Sequence, residues 1–391
     1  MLWEPPETGE QSEWLSRVAA LAPLIERHRA EADRERRTPQ AVFEALRDAG
    51  IPRMWVSTEF GGGQVGLHTG SLVIQALARL DASVAWQMGV QGAIGRISDY
   101  LPEQTARELF KQSGGLVVGA VNPAGRAEET AGGYRISGRW GFASGSAFAD
   151  WLVCAAPVHR DGQPVLRGSA PELRMLFVPV SAVRLLDNWH TLGLRGTGSN
   201  DFEADDVFVP AEYTVDQAAM LRPPAGRFSR AYPIGYYDFG PFTSASTAAG
   251  VARDAVATVT ELVRGKVQTG GSGSLARSHV VQDRLARATM HVHTARTLLR
   301  DTAERVTESG ESGGERLTAT VRLTAATVAE LAVQAVDIAY DLAGSTSLYE
   351  TSRLERAFRD VHSAVKHITL APQHFEMVGQ YLVGGELRVR R

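Results

Sequence analysis

The chain has 391 residues, 44% hydrophobic and 22% charged, ordinary values for a folded protein; at about 150 residues per domain the length suggests two or three domains. With 41 Lys and Arg against 44 Asp and Glu, the formal net charge is −3. That argues against a nucleic-acid or anionic-membrane binder, which carries a basic surplus or patch. A single cysteine, Cys154, excludes an intramolecular disulfide framework and any multi-cysteine metal site. The one basic cluster is the tail, Arg388, Arg390 and Arg391, read as a solvated terminus. The N-terminus, MLWEPPETGEQSEW, lacks the basic-then-apolar order of a signal peptide. No run of about 18 apolar residues occurs, so no membrane span and a cytoplasmic location are expected.

Taken in chain order, the patterns divide the sequence into three parts: 1–114 helical, 115–220 β, 221–391 helical. In the first, LSRVAALAPLIERHRAEADRER and TPQAVFEALRDAG read as helices, the second with Thr38 as N-cap, Pro39 at the first helical position and Gly50 as stop. The glycine-rich turn EFGGGQVG, the apolar segment SLVIQALARLDASVAWQMGVQGAI and a short helix opening at Pro102 follow. From Gly115 the period changes to two: GLVVGAVNP, GGYRISGRWGFASG, DWLVCAAPVH, LRMLFVPV and FEADDVFVP read as strands between Gly, Pro and Asp turns. One such turn is His159-Arg160-Asp161-Gly162.

After the connector RPPAGRFSRAYPIGYYDFGP, helices resume with SASTAAGVARDAVATVTELVRGK and VVQDRLARATMHVHTARTLLRDTAERV. LTATVRLTAATVAELAVQAVDIAYDLA is apolar nearly all round and belongs among other helices, here or in a neighbouring subunit. The last long helix starts at Ser352, with Glu355 completing a capping box and a stripe of Leu354, Phe358, Val361, Val365 and Ile368.

Metal and nucleotide motifs are weak. His291 and His293 are two apart and fall on different helix faces. HEXXH, P-loop and GxSxG patterns do not occur, and the loose G-x-G-x-x-G from Gly193 to Gly198 opens a strand, which removes the helix N-terminus a pyrophosphate needs. What stands out is a pair of loops rich in hydroxyls, glycine and aromatics, GRWGFASGSAFADW and NWHTLGLRGTGSND. Rings to wall a flat heteroaromatic ligand and N–H and O–H groups to bond its edge suit such loops; two hairpins with a Trp plug would read the same way.

In order and spacing, AGIPRMWVSTEFGGGQVG, GRWGFASGSAFADW, LGLRGTGSNDFEADDVFVP and YETSRLERAFRDVHSAVKH resemble the acyl-CoA dehydrogenase superfamily over roughly residues 15–385. The resemblance implies an α+β, mostly α fold: an N-terminal helical domain, a middle β-barrel-like domain and a C-terminal four-helix bundle, usually assembled as a homotetramer. Within the superfamily the wording is closest to the oxygenase component of two-component flavin-dependent monooxygenases. The dehydrogenase branch's catalytic Glu falls, counting from Arg359-Asp360, on Ile368, which cannot be a base. Phenol hydroxylases of the group often carry a histidine where QMGVQG has Gln91, which points away from hydroxylation ortho to a phenol.

The resemblance implies reduced FMN or FAD from a separate NAD(P)H:flavin reductase, O2 as co-substrate, and insertion of one oxygen into a small organic substrate through a flavin C4a-hydroperoxide. It puts Ser144, with the backbone of Ala143 and Gly145, at the flavin N5/C4a edge, and Asn122 on the pyrimidine side. Trp140 and Phe142 would wall the ring. Arg277, Ser278, Gln282, Gly344 and Ser345 would meet the phosphate or adenylate part across a subunit interface. Substrate would lie near Gln91, His362 and His367, one histidine assisting proton transfer; the family count selects His367, whereas on a helix at about 100° per residue His362 flanks the stripe and His367 points away. The alternatives are an FAD-dependent acyl-CoA dehydrogenase or flavin oxidase, and a scaffold protein that binds no flavin.

Overall fold

A computed structural model describes residues 6–224, 232–267, 274–309 and 314–387; the tail arginines 388, 390 and 391 lie outside these. Helix α1 (Gly9–Glu35) is closed at its start by a capping box on Thr8. Helix α2 (Gln40–Asp48) has Pro39 at its N-cap and no side-chain cap. Thr38 is therefore not the cap: its hydroxyl is buried against the Gly196 carbonyl and accepts a 2.6 Å hydrogen bond from Gln87 Nε2.

The apolar segment that follows is two helices, α3 (Leu67–Leu80) and α4 (Ala82–Gly95), broken at Asp81. Asp81 adopts an extended backbone and its carboxylate accepts from the amides of Ser83 at 2.8 Å and Val84 at 3.2 Å, satisfying two of the orphan donors of α4. The short α5 (Glu103–Ala106) continues as a π-helical turn, Arg107–Gln112.

The middle of the chain is a mixed nine-stranded sheet. Its long members are β1 (Leu116–Ala120), β2 (Arg126–Thr130), β3 (Gly133–Ala143) and β4 (Ala149–Arg160). Short β5 (Gln163–Pro164), β6 (Leu166–Arg167) and β7 (Ala170–Pro171) lead to β8 (Leu173–Pro179), β9 (Arg184–Leu186), β10 (Asn200–Pro210) and β11 (Thr214–Asp216). The strand order is β11-β8-β4-β2-β3-β10-β9, with β1 parallel to β4 and β6 paired with β7 apart from the sheet. Periodicity missed β2, whose sequence RAEET is largely exposed and charged.

Helices α6 (Tyr236–Gly265), α7 (His279–Glu308), α8 (Gly314–Ala343) and α9 (Arg353–Ala364) form the bundle, and α10 (Gln373–Leu382) closes it. The stretch Gly314–Leu348 is long and apolar enough to match a membrane span in length and composition, which counting apolar runs does not reveal. Half of its most apolar window is buried in the protein, which accounts for much of that composition. At α9 the expected capping box does not form: Ser352 Oγ accepts from Leu354 N, and Glu355 pairs with Arg359 at 2.5 Å. The helix ends at Ala364 with Val365 as its C-cap, still packed on the core beside Phe358, whereas Ile368 leaves the stripe on a half-exposed 3-10 turn.

A buried line of ionic contacts joins these parts. Arg356 of α9 donates to Asp81 Oδ2 at 2.8 Å and to the Arg29 carbonyl of α1 at 2.8 Å. Asp360, one turn on, lies 3.6 Å from Arg356 Nε and accepts from the Leu194 amide at 2.6 Å. Burial pushes the Asp360 carboxyl up to about 6, the neighbouring Arg356 opposing it. The loop before β10 lies so close over α9 that a Cβ at Gly193 would collide with the Arg359 carbonyl.

Removing one partner of a buried pair strands the other charge, so Asp81→Ala should cost about 3–5 kcal/mol in urea unfolding. Asp81→Asn, which keeps an acceptor for the α4 amides, should cost less. Equal, small losses for both would show that neither the cap nor the pair carries the junction.

Candidate functional site

The loop Phe142–Phe148 and the loop Asp187–Ser199 lie against each other at one end of the sheet. Phe142, the last residue but one of β3, has a left-handed φ of 68° and is 65% exposed. Its ring stands edge-on to Trp189 with centroids 6.0 Å apart, and Trp189 Nε1 donates to the Leu194 carbonyl at 3.1 Å. Phe142 thus presents an open aromatic face.

Trp140 does not. It is 1% exposed inside the sheet's own core, stacks on Phe202 and donates from Nε1 to the Ala155 carbonyl at 2.8 Å. Side chains alternate along a strand, and Trp140 points inward; in this position the plug reading of the tryptophan holds.

Ser144 is 3% exposed and its Oγ lies 2.8 Å from Ser199 Oγ, which lies 2.6 Å from Thr197 Oγ1. Thr197 Oγ1 donates to the Leu194 carbonyl at 2.8 Å. Each hydroxyl has one proton, so the chain has a fixed sense: Thr197 gives to Leu194, Ser199 to Thr197, and Ser144 to Ser199. Ser144 Oγ therefore offers lone pairs, not a proton, to anything else that meets it. The backbone donors beside it are spent: Ser144 N on the Phe142 carbonyl and Gly145 N on the Thr197 carbonyl, both at 2.9 Å. Ala143 is wholly buried. The Gly145 amide is thus engaged within the protein, and Thr197 and Ser199, the other members of the hydroxyl chain, sat unrecognised in the GTGSN motif. Asn122 is exposed beyond β1.

The two histidines face different neighbours. His362 on α9 lies 2.9 Å from Asp337 of α8 and packs on Phe358. His367, beyond the helix end, caps the turn Ile368–Leu370 and meets Trp86 of α4 edge-on at 5.4 Å. The helix wheel fails for His367 because the helix has already stopped. Its Nδ1 lies 2.7 Å from Thr369 Oγ1, which donates to Ser244 Oγ of α6 at 3.0 Å. Nδ1 also accepts from the Thr369 amide at 3.3 Å, which is the cap itself, so this nitrogen is taken up by the turn. Burial lowers His367 to about 4, so the ring is neutral at ordinary pH. Thr369 and Ser244 carry no motif and could not be found from sequence. Gln91, on α4, is 3% exposed and its Oε1 has no hydrogen-bond partner among the described residues.

Arg277, Ser278 and Gln282 lie at the start of α7, Arg277 and Gln282 exposed, with Gln282 Nε2 donating to the Ala276 carbonyl at 2.8 Å. Gly344 and Ser345, also exposed, follow α8. Lys266 joins the two groups: its Nζ donates to Ala343 O at 2.7 Å and Thr346 Oγ1 at 2.9 Å, and its carbonyl accepts from Leu275 N at 3.0 Å. Among the described residues, no hydrogen bond connects this end of the bundle with the Ser144 loop.

A histidine whose pKa falls on folding resists protonation only in the native state. Stability should therefore drop as pH falls from the ordinary 6.5 towards about 4, a window shared by His68 and His374. Melting temperatures of His367→Asn across that range should fall less steeply than those of the parent, and identical slopes would show that His367 does not titrate there.

The chain matches the family profile "Acyl-CoA dehydrogenase, N-terminal domain" over residues 8–111 and "Acyl-CoA dehydrogenase, C-terminal domain" over residues 242–372. It is 31% identical to a "Pigment production hydroxylase" of a Rhodococcus species, over 92% of this chain and 93% of that protein. It is 30% identical to the "FADH(2)-dependent resorcinol hydroxylase, oxygenase component" of a Rhizobium species, over 98% of this chain and 97% of that one. Among solved structures, XiaF from a Streptomyces species, in complex with FADH2 and glycerol, superposes with a TM-score of 0.90 at 23% identity, covering 97% of each chain. The 3-HSA hydroxylase from Rhodococcus sp. RHA1 superposes with a TM-score of 0.88 at 24% identity, over 96% of this chain and 98% of that one; at these identities both bear on the fold. The chain belongs to the acyl-CoA dehydrogenase superfamily, in the branch of the flavin-dependent monooxygenases that act as oxygenase components of two-component hydroxylases.

Proposed function

We propose that this protein takes reduced FMN or FAD from a separate NAD(P)H:flavin reductase and uses it with O2 to oxygenate a small organic substrate. Reduced flavin supplies two electrons to O2, one oxygen atom going to the substrate and the other leaving as water. The observation that carries the reading is the directed hydroxyl chain behind the open Phe142–Trp189 corner. Reduced flavin has an N5–H where oxidised flavin has a bare nitrogen. Ser144 Oγ, its own proton held by Ser199, is suited to accept from that N–H, and Phe142 to cover the ring.

His367 then acts on protons. Neutral, with Nδ1 taken up by the Thr369 turn, it would exchange a proton with the substrate through Nε2. His362 is the lesser candidate because Asp337 already engages it. Arg277, Ser278, Gln282, Gly344 and Ser345 would hold the phosphate or adenylate of a flavin seated mainly on another subunit of a homotetramer, a role supported by their exposure and their gathering around Lys266. Apolar Val280 and Met290 of α7, 69% and 54% exposed, suit such an interface. A partner that draws on NAD(P)H suits the cytoplasm.

The test is rapid mixing of the protein and anaerobically reduced flavin with oxygenated buffer. Oxidised-flavin absorbance should return much later than for free flavin, and Ser144→Ala should shorten that delay with little effect on unfolding. Return at the free rate, with binding of reduced flavin demonstrated, would sink the reading. Yellow protein as purified, bleached by an acyl-CoA, would favour a dehydrogenase.

A further inference from the structure

Two bulky residues of the aromatic corner carry backbone strain. Phe142 has a φ of 68° and Leu194 one of 52°, in the left-handed region that suits glycine and disfavours a large side chain. Such a conformation persists only where its surroundings over-determine it. At Leu194 they act on both sides of the residue. Its carbonyl receives the Trp189 indole at 3.1 Å, the Thr197 hydroxyl at 2.8 Å and the Thr197 amide at 3.1 Å. Its amide donates to Asp360 Oδ1 at 2.6 Å. The preceding residue, Gly193, is already pressed on the Arg359 carbonyl, so release of that amide would move Leu194 outward, away from α9.

A hydrogen bond to an ionised acceptor is roughly twice as strong as one to a neutral group. The hold on Leu194 therefore depends on the charge of Asp360. Burial raises that carboxyl to about 6, against the opposing Arg356, so the charge is lost within an ordinary pH range.

The charged groups around Asp360 have partners of their own. Arg356 pairs with Asp81 of the α4 cap at 2.8 Å, and Arg359 with Glu355 at 2.5 Å. Arg353 pairs with Asp254 of α6 at 2.9 Å and with Glu26 of α1 at 3.3 Å. Also on α1, Arg29 donates to the Leu80 carbonyl at 2.9 Å, and Asp33 lies 3.5 Å from Arg359 and 3.7 Å from Arg195. Arg79 of α3 adds a positive charge on the far side of Asp81. His190, next to Trp189, is exposed and lies 3.2 Å from Arg36.

We propose that Asp360 is a positioning residue for the flavin corner: while charged it holds the strained Leu194, and with it Trp189 and the Thr197–Ser199–Ser144 chain, in the arrangement that binds reduced flavin. Neutralised, it lets the corner slacken. The hold on Leu194 stands on the protein alone; its effect on flavin rests on the monooxygenase reading. Reduced flavin then prefers the charged form, so affinity is full above about 6 and falls below it, by at most about tenfold per pH unit for one proton.

Two titrations between about pH 5 and 8 test this, both in His190→Gln protein so that this histidine does not contribute. The first follows the Trp189 indole N–H by nuclear magnetic resonance without flavin, the signal being identified by its loss in Trp189→Phe. It should move with a midpoint near 6, and in Asp360→Asn it should stay at the parent's acid position throughout. The second measures the dissociation constant of anaerobically reduced FMN. In Asp360→Asn this should be at least about tenfold higher than in the parent at the alkaline end, and the two should converge in acid. Titration of the flavin itself is common to both proteins and cancels in their ratio. Leu194→Gly, which takes the left-handed backbone freely, should hold the indole at its alkaline position throughout, and it serves if Asp360→Asn does not fold. A Trp189 signal constant with pH in the parent, or a step unchanged in Asp360→Asn or in Leu194→Gly, would overturn the proposal. A step lost in Asp360→Asn, with FMN affinity equal in the two proteins at every pH, would support the hold on Leu194 and overturn its part in binding flavin. No binding of reduced FMN at any pH, with the Trp189 step as expected, would keep that hold and overturn the monooxygenase reading instead.

Discussion

The buried line from Asp81 through Arg356 to Asp360 is the constraint on which the rest of the arrangement depends. It begins as a helix cap and ends as the anchor of a loop, and on the way it fixes three regions remote in sequence. Asp81 sets where α4 starts and so where Trp86, Gln87 and Gln91 sit along it. Arg356 fixes α9 against both α1 and α4. Asp360 then holds Leu194, whose carbonyl receives both the Trp189 indole and the Thr197 hydroxyl. The aromatic corner and the hydroxyl chain thus hang from one residue, itself fastened to the bundle by a carboxylate. Ion pairs of this depth gain little net stability over apolar packing; what this one provides is registration between the helical part and the β part.

That dependence explains what could be read from the sequence and what could not. Strands β3, β4, β8 and β10 and helices α1, α7 and α8 are long and periodic enough to be read directly, and the order helix, sheet, bundle follows from them. Failures fall where tertiary contact overrides a local signal. Thr38 has the chemistry and position of an N-cap, yet Gln87 and Gly196 claim its hydroxyl. Ser352 and Glu355 have capping-box spacing, yet Arg359 takes the glutamate. Trp140 lies in an aromatic, glycine-rich loop motif, yet strand alternation turns it inward, while the left-handed backbone at Phe142, two residues on in the same strand, breaks the alternation and turns that ring out.

The site divides in the same way. Ser144 and Phe142 were legible because the motif around them is continuous in sequence. Ser199 and Thr197 lie more than fifty residues on, and their bearing on Ser144 exists only once β10 pairs with β3. His367 was reachable by family count, but its ring is governed by Thr369 and by Ser244 on α6, which no spacing rule connects. Gln91 looked like a missing histidine; in three dimensions it is buried on α4, with an Oε1 that no donor among the described residues reaches.

The fixed sense of the hydroxyl chain has a thermodynamic corollary. A serine that can only accept distinguishes a cofactor that carries a proton at the contact from one that does not. Linkage requires that whatever binds the two redox forms unequally also shifts their balance by the same factor. Tighter binding of the reduced form therefore raises the midpoint potential of the bound couple above that of the free one. On the proposed reading, spent flavin would at the same time be the weaker ligand and leave to be recharged. Three hydroxyl groups, aligned by a single backbone carbonyl, would in this way give the traffic of a diffusible electron carrier its direction.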